Sequence, residues 1–461
     1  MYKAIIVKLQ NVRPHSNADR LKLATVAGNQ VIVGLDSKED DLGVYFDVDG
    51  QLTTCFMKNL NLHRHAHLNS DPKQSGMFDD NGRVRAQIFR GEKSEGFWVP
   101  LDTVQSVFKH TPTDEGSEFD TIGKELVCLK YISPSTKTAQ GTPKSSKKIE
   151  NQMFHKHFDT SQFGRNEFMI GLDDIVIVTE KLHGTSQRTS NVQVKTPLKP
   201  GLGRWICNLF LPSNMKVNKS SNVVLWEDMI GTRNVILGLD GKKDESGFYP
   251  VSFREEAAQP LLGNIKKGET FYYEVVGYEQ EGRPIMGSHA NTKLKGHLDK
   301  KSYVDFINDF GDTTNFSYGC SERELDIYVY RVTLTNEDGY SVDLSWDAVV
   351  ERCAELGVKT VPEIFRGTRR EMAHLEALRS TIIDGREKDT DRDIQERSIE
   401  YIKFLSVGKT RVGSNLSVGV CLRVEKGITP LVLKEKSFQF KVLEGIIKDS
   451  KNYVDTEEAE G

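Results

Sequence analysis

The chain has 461 residues, enough for two or three domains at roughly 100–200 residues each. Apolar residues make up 37% and charged residues 28%, and no apolar run approaches the ~20 residues that span a bilayer, which excludes a helical membrane protein. The formal net charge of −4 does not by itself point to a nucleic-acid partner, yet residues 129–149 and 181–226 contain no acid and several lysines and arginines. Such stretches suit phosphate groups, or are simply solvated.

Met1-Tyr-Lys3 leads directly into an apolar strand without the pattern of a signal peptide, and the six cysteines stand singly with no CxxC pair. An intracellular, soluble, reduced chain without structural zinc is expected.

In chain order, residues 1–131 read as a β-rich module. Short alternating runs recur at 4–9, 21–26, 31–35, 43–47, 84–89 and 96–99, separated by turn residues, as a small barrel or sandwich requires. Residues 132–149 contain almost no large apolar group and predict a flexible, lysine-containing linker. From 150 to 461 the pattern is mixed α+β, with strands predicted at 174–179, 270–277, 326–334, 419–424 and 438–443. Ser345 and Gly357 bracket a predicted helix, and a second, polar one runs from about 368 to 383.

Three lysines stand out. Lys181 closes an apolar strand in Val178-Thr-Glu-Lys-Leu-His-Gly-Thr185, with a glycine turn behind it. A lysine nucleophile must shed its proton, which burial and neighbouring cations promote. Lys434 and Lys436, in Leu433-Lys-Glu-Lys-Ser437, fall on one face of a strand and suit a phosphate that gains charge. Each element alone also reads as an ordinary surface charge.

Taken in order with Phe271-Tyr-Tyr-Glu-Val-Val-Gly277, Asp326-Ile-Tyr-Val-Tyr-Arg331 and Val418-Gly-Val-Cys-Leu-Arg423, these segments resemble the covalent nucleotidyltransferase superfamily of ATP-dependent ligases and capping enzymes over about 150–445. Glu180-Lys-Leu-His-Gly-Thr185 and Phe154-His-Lys-His-Phe-Asp-Thr160 look like RNA ligase forms. Only 25 residues follow Lys436, while a β-rich module precedes the motifs. That order resembles the RNA ligases with an N-terminal OB module. Residues 83–100 are similar to theirs, and His15-Ser-Asn-Ala-Asp-Arg-Leu-Lys-Leu23 resembles the opening of tRNA-binding OB modules.

The resemblance implies an α+β fold: a nucleotidyltransferase domain of antiparallel sheets with flanking helices, behind a small OB-type β-barrel. It implies ATP as AMP donor, Mg²⁺ or Mn²⁺, and sealing of nicks with RNA 3′-OH and 5′-phosphate ends in RNA or RNA/DNA duplexes. Lys181 would carry AMP. Glu180 and the Lys181 backbone would contact adenine, and Tyr330 would stack on it. Arg233 would touch ribose or the nick, with Arg188 as its rival. Glu274 would bind ribose or the metal's waters, while Lys434 and Lys436 would grip the α-phosphate. Lys195, Lys199 and Arg204, in the basic insertion, are candidates to contact RNA.

Two departures stand against this. Arg331 occupies a place where relatives often carry Asp, and Val418 sits where the family has a metal-organising glutamate, although Gly419 and Arg423 match. The alternative is an RNA-binding protein whose ligase-like domain is catalytically impaired. His63-x-His65-x-His67 reads as a polar loop rather than a metal site, and Gly201-Leu-Gly-Arg204 lacks the features of a phosphate loop.

Overall fold

The computed structural model of the protein describes residues 2–140, 150–197, 222–237, 251–380 and 389–448. Two antiparallel sheets frame the C-terminal part. In the smaller one, Ile175–Glu180 lies between Gly419–Val424 and Glu363–Thr368. Leu431–Lys436 follows beyond Gly419–Val424, and Ser161–Gln162 adds a short parallel edge.

Because side chains alternate along a strand, one face of this sheet is mainly apolar, with Glu180 and Glu435 at its end: Val176, Val178, Val420, Leu422 and Leu433 pack with Met372 and Ile402. Those last two belong to the helices Arg369–Arg379 and Asp391–Ser406, each opened by a capping box, at Thr368/Glu371 and Thr390/Asp393. The opposite face carries Thr179, Cys421 and Lys434 in one row, with Gly419 opposite Lys436 in the next.

The larger sheet runs in the order Ile236–Leu237, Asn222–Thr232, Thr185–Pro197, Glu269–Gly277, Leu325–Thr335 and Ser341–Asp343. The helix Trp346–Leu356 packs beside it. It begins where Ser345 accepts the Ala348 N–H and ends at Gly357 in the left-handed conformation, as the sequence predicts. No helix among the described residues is long and apolar enough to cross a membrane.

The first 131 residues fold mostly as short strands. Glu118–Phe119, Ala4–Lys8, Leu42–Phe46 and Phe97–Pro100 form one sheet, and Gln10–His15, Ala18–Val26 and Asn29–Gly34 another. The helices Thr54–Asn59 and Leu101–Val107 break the all-β pattern. In the segment 15–23, the His15 ring accepts the Asn17 N–H at 3.0 Å, and its Nε2 lies 3.3 Å from the Phe89 carbonyl, so the ring closes a turn. His63 is buried and His65 pairs with Asp80 at 3.0 Å. No group of three or more metal-ligating side chains occurs among the described residues.

Two expectations are corrected. Residues 134–140, expected as flexible linker, form a helix in which Thr136 is buried against Ser133. The rest of that stretch, 141–149, lies outside the described residues. Residues 438–443, expected as a strand, begin the helix Phe438–Lys448. The Ser437 hydroxyl accepts the Phe440 N–H at 3.2 Å and starts the turn. Phe438, Phe440, Val442, Leu443 and Ile447 are all buried, because the helix is wedged between the C-terminal sheets and the N-terminal module. A helix buried on most sides shows no clean polar face, so its apolar run is indistinguishable from a strand by periodicity.

Candidate active site

Lys181 ends the strand Ile175–Glu180. Its backbone N–H continues the sheet by donating to the Gly419 carbonyl at 3.0 Å. This close approach requires glycine at 419, where a Cβ would meet the Glu435 carbonyl at 2.1 Å. The turn after Lys181 is braced twice. The His183 N–H donates to the Tyr318 hydroxyl at 2.7 Å, and the Gly184 N–H donates to Glu274 Oε1 at 3.0 Å. A side chain at 184 would strike the Val275 carbonyl at 2.3 Å and Glu274 Cγ at 2.8 Å. The Lys181 ammonium, half-buried, donates to the Leu182 carbonyl at 3.2 Å and has no carboxylate within ion-pair distance among the described residues.

Lys434 faces the same space. Burial, then Lys436, Lys181 and Arg233 disfavour its ammonium form and bring its pKa down to about 8. Lys436, two residues on, behaves oppositely. It is clasped by Glu444 at 2.6 Å and Asp49 at 3.5 Å, and despite burial these carboxylates raise its pKa. The two lysines share a strand face, as expected, but not an environment.

Arg233 pairs with Asp159, whose carboxyl is held below its usual range by that guanidinium in spite of partial burial. Arg188, its rival, is buried. It lies 4.4 Å from the centre of the Phe154 ring, and its Nε makes no hydrogen bond. Tyr330 sits at a bulge: Tyr272 pairs with Arg331 and Tyr273 with Val329, so Tyr330 is the extra residue. It meets the His157 ring edge-on at 5.0 Å. Burial, Arg331 and Arg233 push His157 down to about 3, so it is neutral near pH 7 and accepts from Arg331 at 3.4 Å.

Arg331 forks onto Asp343 at 2.6 and 2.9 Å and stacks on Phe158 and Tyr272, so its charge is matched within the sheet. Glu180 is turned to the other face. Its carboxyl, raised by burial, accepts the Arg411 N–H at 2.9 Å through Oε2, while Oε1 is buried with no hydrogen-bond partner. Lys195 lies in the strand Thr185–Pro197, but its side chain, with Lys199 and Arg204, lies outside the described residues.

Among the described residues, no preformed metal site is assembled around Glu274. Glu274 accepts from Gly184 and, at 3.2 Å, from Ser186. Val418 is 1% exposed, within the apolar cluster that includes Leu182, Phe316, Leu416 and Phe440. A glutamate placed there would desolvate its carboxylate. Val418→Glu is expected to destabilise the fold by at least ~2 kcal/mol, and the loss should grow as pH rises from the ordinary glutamate pKa toward its raised value in the fold, then level off. Urea titrations at pH 5 and pH 8 check both the loss and its direction.

Asp159, His157, Tyr318 and Asp49 were missed by motif reasoning, although the segment 154–160 was singled out as a block. Their role here comes from long-range contact, for which a single sequence carries no local signal.

The RNA ligase family model matches residues 174–443. No curated protein matches the chain. Among solved structures, a Naegleria gruberi RNA ligase mutant with ATP and Mn is 14% identical, with a TM-score of 0.55 over 96% of this chain and 99% of that one. The same organism's RNA ligase with PPi gives 14% and 0.53 over 96% and 98%, and a mutant with AMP and Mn gives 14% and 0.52 over 96% and 99%. At this identity the likeness is one of fold.

Proposed function

The chain belongs to the RNA ligase family, and from that premise we propose that it uses ATP to seal 3′-OH/5′-phosphate nicks in RNA or RNA/DNA duplexes. The observation that carries this reading is the Lys181 ammonium, without a carboxylate partner among the described residues, near Lys434, whose pKa is down to about 8. First, Lys181 Nζ loses a proton and attacks the α-phosphorus, forming a P–N bond as the bond to pyrophosphate breaks. Next, the 5′-phosphate of the RNA attacks that phosphorus, releasing Lys181 and forming a 5′–5′ pyrophosphate linkage. Last, the 3′-oxygen gives up its proton and attacks the 5′-phosphate, and AMP leaves.

Lys434 and Lys436 would neutralise the α-phosphate, while Arg233 would reach ribose or the nick. Tyr330 would stack on adenine, and Glu180 with the Lys181 backbone would contact its edge, the Glu180 carboxyl swinging from the other face of the sheet to do so. Glu274 would hold the Lys181 turn and meet ribose. A divalent ion would arrive on the phosphates of ATP rather than in a protein cage, consistent with the lack of a three-ligand group among the described residues.

The N-terminal module, read as OB-type, would contact RNA. The alternative, an RNA-binding protein with impaired chemistry, draws on the buried Val418. The deciding experiment incubates a nicked RNA duplex, 5′-labelled at the nick, with ATP and Mg²⁺ or Mn²⁺. Joined product, with adenylylated strand appearing transiently, is expected; binding of the duplex without either product would favour the alternative.

A further inference from the structure

We propose that Asp49, carried by the N-terminal module, is a positioning residue of the ligase site: it fixes Lys436 in place beside Lys434. The inference rests on the reading that Lys436 acts at the α-phosphate. Four groups form a closed ring of alternating charge. Asp49 lies 3.5 Å from Lys436 and 3.3 Å from Lys448, and Glu444 lies 2.6 Å from Lys436 and 3.2 Å from Lys448. All four side chains are at most 20% exposed, so these pairs are weakly screened.

Three of the four come from the C-terminal part of the chain; Asp49 alone crosses from the N-terminal module. Its backbone is left-handed, at φ 74°, a conformation that disfavours most side chains other than Asn and Asp. The turn is held there by its neighbours, since the Asp49 carbonyl accepts the Tyr131 N–H at 2.8 Å. Arg83 stacks on Tyr131 at 4.2 Å and donates to the Gly445 carbonyl at 2.8 Å, joining that turn to the helix Phe438–Lys448.

The arrangement has a consequence for the lysine pair. Lys181, Lys434 and Lys436 would repel one another if none had a counter-charge. The carboxylates of Asp49 and Glu444 draw Lys436 to one side and keep it charged, leaving Lys434 facing Lys181 and Arg233. Without Asp49, Lys436 and Lys448 would share Glu444 alone and push apart, and Lys436 would lose its place. The N-terminal module thereby helps to complete the chemical centre.

The test measures single-turnover self-adenylylation of the full chain with α-labelled ATP over a range of ATP concentrations. It compares the unaltered chain, Asp49→Asn, Asp49→Glu and Glu95→Gln. Asn keeps the side-chain size and tolerates the left-handed backbone. Glu95→Gln perturbs a different bridge between the same two parts, Glu95–Lys441 at 2.7 Å.

The expected result is a maximal rate about 10-fold or more lower for Asp49→Asn, with partial recovery in Asp49→Glu and a rate close to unaltered in Glu95→Gln. An unchanged or faster Asp49→Asn would overturn the proposal. Equal losses in Asp49→Asn and Glu95→Gln would also overturn it, because they would mean that docking alone matters. An unaltered chain that takes no label would instead overturn the adenylylation reading on which the proposal rests.

Discussion

Lys181→Ala is expected to remove covalent labelling by α-labelled ATP, lowering the rate by at least ~10⁴-fold, while leaving the fold in place. Lys434 lies nearby, but it sits on a different strand and faces the site from the sheet rather than from the turn. An amine displaced in this way would not reproduce the in-line approach proposed for Lys181 at the end of its strand. The same change spares stability, because among the described residues the ammonium donates to the neighbouring Leu182 carbonyl and leaves no carboxylate stranded when removed. The unfolding free energy should move by no more than about 0.5 kcal/mol. Denaturing electrophoresis reads the first effect and a urea titration the second. Label that persists on Lys181→Ala would place the nucleophile elsewhere.

Lys434→Met is expected to move activity and stability in opposite directions. Losing the charge at the α-phosphate should slow adenylylation by about 10²–10³-fold. The ammonium is disfavoured in the folded chain, with a pKa of about 8 against an ordinary 10.5. Between those values the unfolded chain binds more protons than the folded one. Stability of the unaltered protein therefore rises with pH across roughly 8 to 10.5, and the penalty is fully present below 8. At pH 7 the Met variant should be more stable by about 1–3 kcal/mol, an advantage that shrinks toward pH 10. Adenylylation by the unaltered chain should fall above pH 8 as Lys434 loses its proton. Paired urea titrations at pH 7 and pH 10, with rates over the same range, decide the matter. A Met variant less stable at pH 7 would mean that Lys434 has a carboxylate partner.

The parts of this site that could be read from the sequence are those carried by local pattern. An apolar strand ending in a lysine, a glycine turn and a Lys-x-Lys alternation each leave a short-range trace. The register of the folded sheet agrees that Lys434 and Lys436 share a face. Capping residues likewise mark Ser345 and Gly357. The helix Asp391–Ser406 was missed although Thr390 and Asp393 form a capping box and Ile399, Ile402 and Leu405 repeat at helical spacing, because its first half is polar apart from Ile394.

What escaped altogether is pairing across long separations. Nothing near Asp49 in the sequence indicates that its partners are Lys436 and Lys448. Tyr318, in a left-handed turn at φ 51°, reaches the His183 N–H from 135 residues away. The asymmetry between Lys434 and Lys436 is of the same kind. Alternation assigns them one face, but only the folded neighbours make one easily deprotonated and the other persistently charged.

The wedged helix Phe438–Lys448 also bears on how the protein comes into being. During synthesis the strand bearing Lys181 leaves the ribosome about 250 residues before Leu431–Lys436 and the helix behind it. Until they arrive, the sheet lacks the lysine row beyond Gly419–Val424, and Asp49 waits without Lys436 and Lys448. Closing contacts of such long sequence separation is expected to be slow. A chain that stops before residue 431 therefore lacks Lys434, Lys436 and the helix that holds them, and cannot complete this site.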